Sequence, residues 1–424
     1  MSVFNRFGAS RLVLAVALAS GVAVSFAAPA EAAKKKEEKA EGNKGTYSKE
    51  FAAAYTPFAT KLKAGGDLAP LRAELAALHA TAQTPDDKYT AGQVTVSLGV
   101  KLNDRALQRQ GGEMMIDSGS TLSGADRAAQ IWSIASMAYE DKDWATARSR
   151  AQQAVAAGFT GDADLMIAES YFAENQAAAG VEALDKAIAK KIAAGQPVPD
   201  SWLKRGLALS YNNKLGPAAS KYAAMYAQYY PSASSWGDAI GVARNFNQYR
   251  DQELLDIMRL AQRAGAMRSG DDYLDYISAA DARRLPGETQ RIIQAGIAAG
   301  LLSGSDDFVN QAKTIAAGRI AADTADLPKI AREARLPNAT ATTLMAAGDA
   351  YLSYQKPAEA EEFYTLALTK PGADTARVLT RLGIAQLDQG KTAEAQANFA
   401  KVEGARQAMA RLWALYAQQG AKTQ

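Results

Sequence analysis

Cysteine is absent from all 424 residues. That excludes a disulfide framework, a thiol nucleophile and a thiolate metal site within the chain. There is one histidine, His79, and metals draw on several such ligands, so a histidine-rich centre is excluded as well. A charge bias is also missing. The formal net charge is +3, and no basic stripe with interleaved aromatics runs through the chain, which argues against nucleic acid as a partner. β-branched runs are rare and strict apolar–polar alternation is almost absent, so strands have little to form from. Hydrophobic residues make up 48% of the chain, a globular proportion, and much of it is alanine, the best helix former. The expectation is an all-α chain with no metal and no cofactor.

Residues 1–32 read as an export signal. Arg6 and Arg11 supply the positive start, Leu12 to Ala28 is apolar and small, and Ala30-Glu31-Ala32 fits the cleavage pattern. A cut after Ala27 fits too. The alternative is an uncleaved anchor, but the apolar run is 17 residues and is interrupted by Ser20, Gly21 and Ser25, short for a membrane span. The expected mature protein lies outside the cytoplasmic membrane, periplasmic or secreted, with no transmembrane span. Residues 33–47, with Lys34-Lys35-Lys36-Glu37-Glu38-Lys39, read as a charged flexible linker.

From Ser48 apolar residues recur at helical spacing, first as Phe51, Tyr55, Phe58 and Leu62, then as Leu68, Leu71, Leu75 and Leu78. Thr84-Pro85-Asp86-Asp87 starts a third helix. Residues 48–126 form an N-terminal helical region. A repeating unit then emerges. Trp202, Gly206, Leu209, Leu215, Ala218 and Tyr222 are spaced as two antiparallel helices, with small residues where they approach closely. The small pivot recurs as Ala135, Ala168, Gly206, Gly348 and Gly383. Three units occupy residues 127–232 and two occupy 341–404. Degenerate units fill 233–340, where Trp236, Ile240 and Ala243 recur as Tyr273, Ile277 and Ala280. The stretch near Phe308 to Arg335 lacks the pattern and fits either a third degenerate unit or one long helix. Residues 405–424 read as a capping helix and tail, with Leu412, Trp413 and Tyr416 covering the last open face.

These units resemble tetratricopeptide (TPR) repeats from Ala128 onward. The whole chain resembles alanine-rich, secreted TPR proteins of alphaproteobacteria. The resemblance implies an α-solenoid, a superhelix of antiparallel helix pairs, acting as a scaffold or adaptor that binds a protein or peptide in the cell envelope. In such arrays the first helices line the inner surface. Carried over by position, that places Trp132, Tyr139, Leu165, Phe172, Leu203, Tyr211, Met345 and Leu352 in the groove. Packing of the same side chains in the core is the alternative. The lysine and asparagine residues with which some TPR proteins clamp a terminal carboxylate are missing from these positions. An apolar or helical segment is therefore expected rather than a carboxylate-terminated peptide.

Catalytic constellations are weak. Gly390-Lys391-Thr392 resembles the end of a phosphate-binding loop, but Ala385 stands where the motif needs glycine and a helix precedes it where a strand should. Asp86-Asp87, Asp271-Asp272 and Asp306-Asp307 each precede a helix and read as caps. Helical superhelices also occur in lytic transglycosylases, whose catalytic Glu-Ser sits in a separate domain. The only Glu-Ser here, Glu169-Ser170, lies inside a repeat helix. A peptidoglycan- or glycan-acting envelope protein is the competing function, and no enzymatic site is expected.

Overall fold

The computed structural model describes residues 45–420. The proposed signal and most of the linker lie outside them. Among the described residues there are twenty α-helices and no strand, as the composition requires. The chain divides into two compact units, the first ending at Gly195 and the second beginning at Gln196.

The first unit contains α1 (Lys49–Ala64), α2 (Leu71–Thr81), α3 (Pro85–Lys101), α4 (Arg105–Asp117), α5 (Arg127–Glu140), α6 (Trp144–Ala156), α7 (Ala163–Ala173) and α8 (Ala177–Ala193). Helices adjacent in sequence pack on one another throughout. Their starts are written in the sequence. Ser48, Thr84, Asp104 and Asp143 each accept a hydrogen bond from the backbone N–H three residues on, a cap that contributes about 0.5–2 kcal/mol. Asp87 does more than cap α3. Its carboxylate also accepts from the Ser48 backbone N–H at 3.1 Å and the Ser48 hydroxyl at 2.8 Å, joining the starts of α1 and α3.

One turn recurs between the helices of a pair. Asn103, Lys142, Asn175, Lys214, Gln355 and Gly390 all have positive φ. In each case the next residue donates its N–H to the carbonyl five residues back, as from Asp143 to Ala138 and from Lys356 to Tyr351, both at 2.9 Å. This left-handed exit satisfies carbonyls that the helix end would leave unpaired. It also makes α3–α4 a pair of the same kind, upstream of the first unit visible in sequence.

The α3–α4 pair shows how closely glycine lets two backbones approach. A Cβ on Gly111 would lie 2.5 Å from the Gly92 carbonyl oxygen and 2.6 Å from the Val96 nitrogen. No side chain fits there. With a helix pressed so near, α3 is buried on nearly all sides from Tyr89 to Gly99. This is why its sequence shows no clear amphipathic stripe.

The second unit contains α9 (Asp200–Asn212), α10 (Gly216–Tyr229), α11 (Ala233–Asn247), α12 (Asp251–Arg263), α13 (Gly270–Ala280), α14 (Pro286–Ala298), α15 (Asp307–Ala334), α16 (Ala341–Ser353), α17 (Pro357–Leu368), α18 (Thr375–Leu387), α19 (Thr392–Phe399) and α20 (Gln407–Gly420). The pivots Ala135, Ala168, Gly206, Gly348 and Gly383 are all buried. A Cβ on Gly348 would lie 2.5 Å from the Tyr364 ring, and one on Gly383 2.5 Å from Phe399, so each glycine seats an aromatic of its partner helix. In the α9–α10 pair the turn residue Lys214 falls 8 residues after the pivot, against 7 for Lys142, Asn175, Gln355 and Gly390. The second helix starts one residue late, and the fully buried small residue is Ala219 rather than the expected Ala218, which is half-buried. Residues 233–340 hold two pairs, α11–α12 and α13–α14, followed by the single long helix α15.

The C-terminal helix departs from its expected role as an end cap. It packs on α19, but also on α10, α11 and α18. Trp413 is fully buried and its indole N–H donates to the Asp256 carbonyl at 3.1 Å. The Gln419 amide donates to the Ala227 carbonyl at 2.7 Å. The Tyr416 hydroxyl donates to the Arg263 carbonyl at 3.1 Å. Within this unit the run of pairs turns back until its last helix lies against its first ones.

The α3–α4 contact predicts an unusually sensitive position. Gly111→Ala should cost roughly 1–3 kcal/mol by overpacking, measured by urea unfolding, although alanine is the better helix former. A variant as stable as the parent would mean that the two backbones are not in contact.

Candidate functional site: a polar cleft beside a buried ion network

The eight residues assigned to an inner groove divide by burial. Leu165, Phe172, Leu203, Met345 and Leu352 are buried. Phe172 sits over Gly180, where a Cβ would lie 2.6 Å from its ring. Trp132 is half-buried and stacks on Phe159 with ring centroids 4.8 Å apart. Tyr139 is half-buried, packs edge-on to Trp144 and donates its hydroxyl to Glu169 at 3.0 Å. Tyr211 is 40% exposed, lies edge-on to Phe246, and its hydroxyl accepts from the Asn245 amide at 2.8 Å. The stripe is therefore largely core, with five of its eight side chains buried among packed helices.

The polar chemistry of the second unit gathers instead around residues with no sequence motif. Asp256 on α12 is fully buried. It accepts from Arg259 at 2.9 Å, from Arg381 on α18 at 3.0 Å, and from Arg406, in the turn before α20, at 2.5 Å. Arg259 also makes a two-pronged contact with Glu288 on α14, at 2.8 and 2.7 Å. The Tyr276 hydroxyl donates to the same carboxylate at 2.8 Å. Arg381 continues to Asp349 on α16 at 2.6 Å, where Arg377 and the Tyr364 hydroxyl also donate, at 3.0 and 2.8 Å. Burial pushes the Asp256 carboxyl up, but the charges of Arg381, Arg406 and Arg259 outweigh it and hold it well below the usual carboxylate range. The same contest, won by Arg259, brings Glu288 down to about 2.

A cleft of about 410 Å³ opens beside this network. Arg259, Arg263, Arg291, Glu288 and Asp388 supply charge, Gln262 and Gln355 supply amides, and Ile292, Ala295, Leu352 and Pro357 form an aliphatic wall. Leu352 is the one groove residue from the sequence that lines it. Arg263 and Asp388 pair at 2.7 Å. Arg291 is half-buried and donates to the Ser353 carbonyl at 2.6 Å. Burial lowers its pKa, against the pull of Glu288. Convergent polar groups thus face a smaller apolar wall across the cleft.

The other sequence candidates are accounted for locally. His79 shares a hydrogen bond with Thr95 at 2.8 Å, and burial lowers its pKa. Asp306 caps α15 through the Val309 N–H at 3.0 Å. Asp272 accepts from Arg244 at 3.0 Å and from the Arg268 N–H at 2.8 Å. Gly390-Lys391-Thr392 forms the α18–α19 turn, with Lys391 paired to Glu361 at 2.5 Å. Among the described residues no group of acids and histidine is arranged to hold a metal, and no helix is long and apolar enough to cross a membrane. Compared with known proteins, the chain matches no family model and no curated protein sequence.

The ion network implies an acid sensitivity. The folded-state pKa of Glu288 is depressed to about 2 from an ordinary 4.5, so its contribution is complete above about pH 4.5 and is lost as pH falls towards 2. The melting temperature of the second unit should fall across that window and be steady between pH 5 and 7. Replacing Glu288 by Gln should lower stability at pH 7 and flatten the acid limb. A wild-type profile that is flat down to pH 2 would contradict the network.

Proposed function

We propose that the chain is an exported, TPR-like binding protein that holds a short segment of a protein partner in the cell envelope, with the cleft of the second unit as its binding site. Three things support the reading. Residues 1–32 have the layout of an export signal. The buried pivots and the repeated left-handed turn follow the helix-pair logic of the TPR resemblance. The cleft carries the functional part: it combines an aliphatic wall with amides and guanidinium groups in about 410 Å³, within the range of small-ligand sites. Binding rather than catalysis is favoured by the state of its acids. Glu288 is held ionised by Arg259 and Asp388 is paired with Arg263, so both carboxylates are already engaged by the chain's own cations.

Filling the cleft tests the assignment. Ala295 is half-buried on its wall, and Ala295→Trp should occupy it from the open side. Retention of peptides from a proteolysed envelope extract should drop at least tenfold, about 1.4 kcal/mol, with the melting temperature unchanged. Undiminished retention by a well-folded variant would move the site elsewhere.

A further inference from the structure

We propose that the cleft takes a peptide by its terminal carboxylate, held on the Arg291 guanidinium, with an aliphatic side chain against Ile292, Ala295 and Leu352. The inference rests on the cleft being the binding site. Its basis is a charge imbalance. Three guanidinium groups, of Arg259, Arg263 and Arg291, face two carboxylates, of Glu288 and Asp388. Both carboxylates are taken. Glu288 is engaged by Arg259 and Tyr276, and Asp388 by Arg263. Among the described residues no carboxylate lies within ion-pairing distance of Arg291. One of its terminal nitrogens is anchored on the Ser353 carbonyl at 2.6 Å, which fixes the plane of the group and leaves the rest of the fork for a ligand.

A guanidinium so placed matches a carboxylate in charge and in planar geometry. Partial burial strengthens the pairing relative to water. The surplus is a single charge, so a monoanion balances the cleft, whereas a phosphate dianion would leave negative charge beside Glu288 and Asp388. The remaining lining also favours a peptide. Gln262 and Gln355 offer both donors and acceptors to a backbone amide. The wall is aliphatic, and the one ring in the lining, Tyr276, is buried, leaving no face on which a sugar would stack. The volume suits roughly a di- or tripeptide, judged by ordinary ligand pockets. The sequence led to the opposite expectation, an apolar or helical segment, because the clamp lysine and asparagine are missing from the first helices; Arg291 stands on α14, the second helix of its pair.

Native mass spectrometry of the full chain with defined pools tests the proposal. The probes are a pool of tripeptides with free C-terminal carboxylates, the same pool C-terminally amidated, and uncharged N-acetylglucosamine oligosaccharides. The free-acid pool should be retained at least tenfold better than the amidated pool, and the oligosaccharides should not be retained. Arg291→Gln should erase the acid-over-amide preference, and Arg291→Lys should keep part of it. The acid–amide comparison on the unaltered chain stands even if a variant unfolds. Equal retention of both pools, abolished by Ala295→Trp, overturns the carboxylate assignment but keeps the cleft. Retention that Ala295→Trp leaves intact, or no retention of either pool, overturns both. Preference for the oligosaccharides overturns the peptide and replaces it with a glycan.

Discussion

A fully buried carboxylate must be matched by buried cations, and in the second unit that requirement falls on Asp256. Its three arginine partners come from its own helix, from α18 and from the turn before α20. The contacts with Arg381 and Arg406 span 125 and 150 residues of sequence. No single helix pair can satisfy this group, so the early and late pairs of the unit have to meet. Such a network is a poor source of net stability, because desolvation offsets much of the attraction. What it supplies is specificity. Any arrangement that separates α12 from α18 leaves charges buried and unpaired, which costs several kcal/mol.

The cleft follows from the same arrangement. Arg259 and Glu288 belong both to the network and to the cleft wall, so the floor of the site is rigid and internally neutralised. Arg263 and Asp388 join α12 to the end of α18 at its rim. Arg291 is held by Ser353 on the neighbouring α16 and has no acid of its own. The site is thus built mostly from helix surfaces, with Gln355 and Asp388 added from helix ends, and its spare charge sits at one defined place.

Much of the fold was legible in the sequence. The pivots, the helix starts and the all-α class follow from local rules of size, capping and periodicity, and these survive in the structure at Gly348, Gly383, Thr84 and Asp306. Three features were hidden for physical reasons. α3 is buried on nearly all sides, so it shows no stripe, although Asn103-Asp104 matches Lys142-Asp143 at the next pair. The role of α20 depends on contacts with α10 and α11, nearly two hundred residues away for Gln419 and Ala227, and periodicity carries no such information. The ion network leaves scattered acids and arginines that look like ordinary surface charges. Asp256, Arg259 and Arg263 are even spaced like an exposed helical charge pattern. The groove assignment follows from position in a repeat, and position alone does not distinguish an open inner face from one covered by the chain's own helices.

The last helix and the turn before it hold the first pairs of the second unit through Asp256, Trp413 and Gln419. Hydrogen exchange on a chain ending at Glu403 tests it most directly. Removal of Arg406 and α20 should raise exchange in α10, α11 and α12, far from the cut in sequence, as strongly as in α18 and α19 beside it. Exchange that rises only in α18 and α19, with α10 to α12 protected as before, would contradict the claim and return α20 to the role of an ordinary end cap.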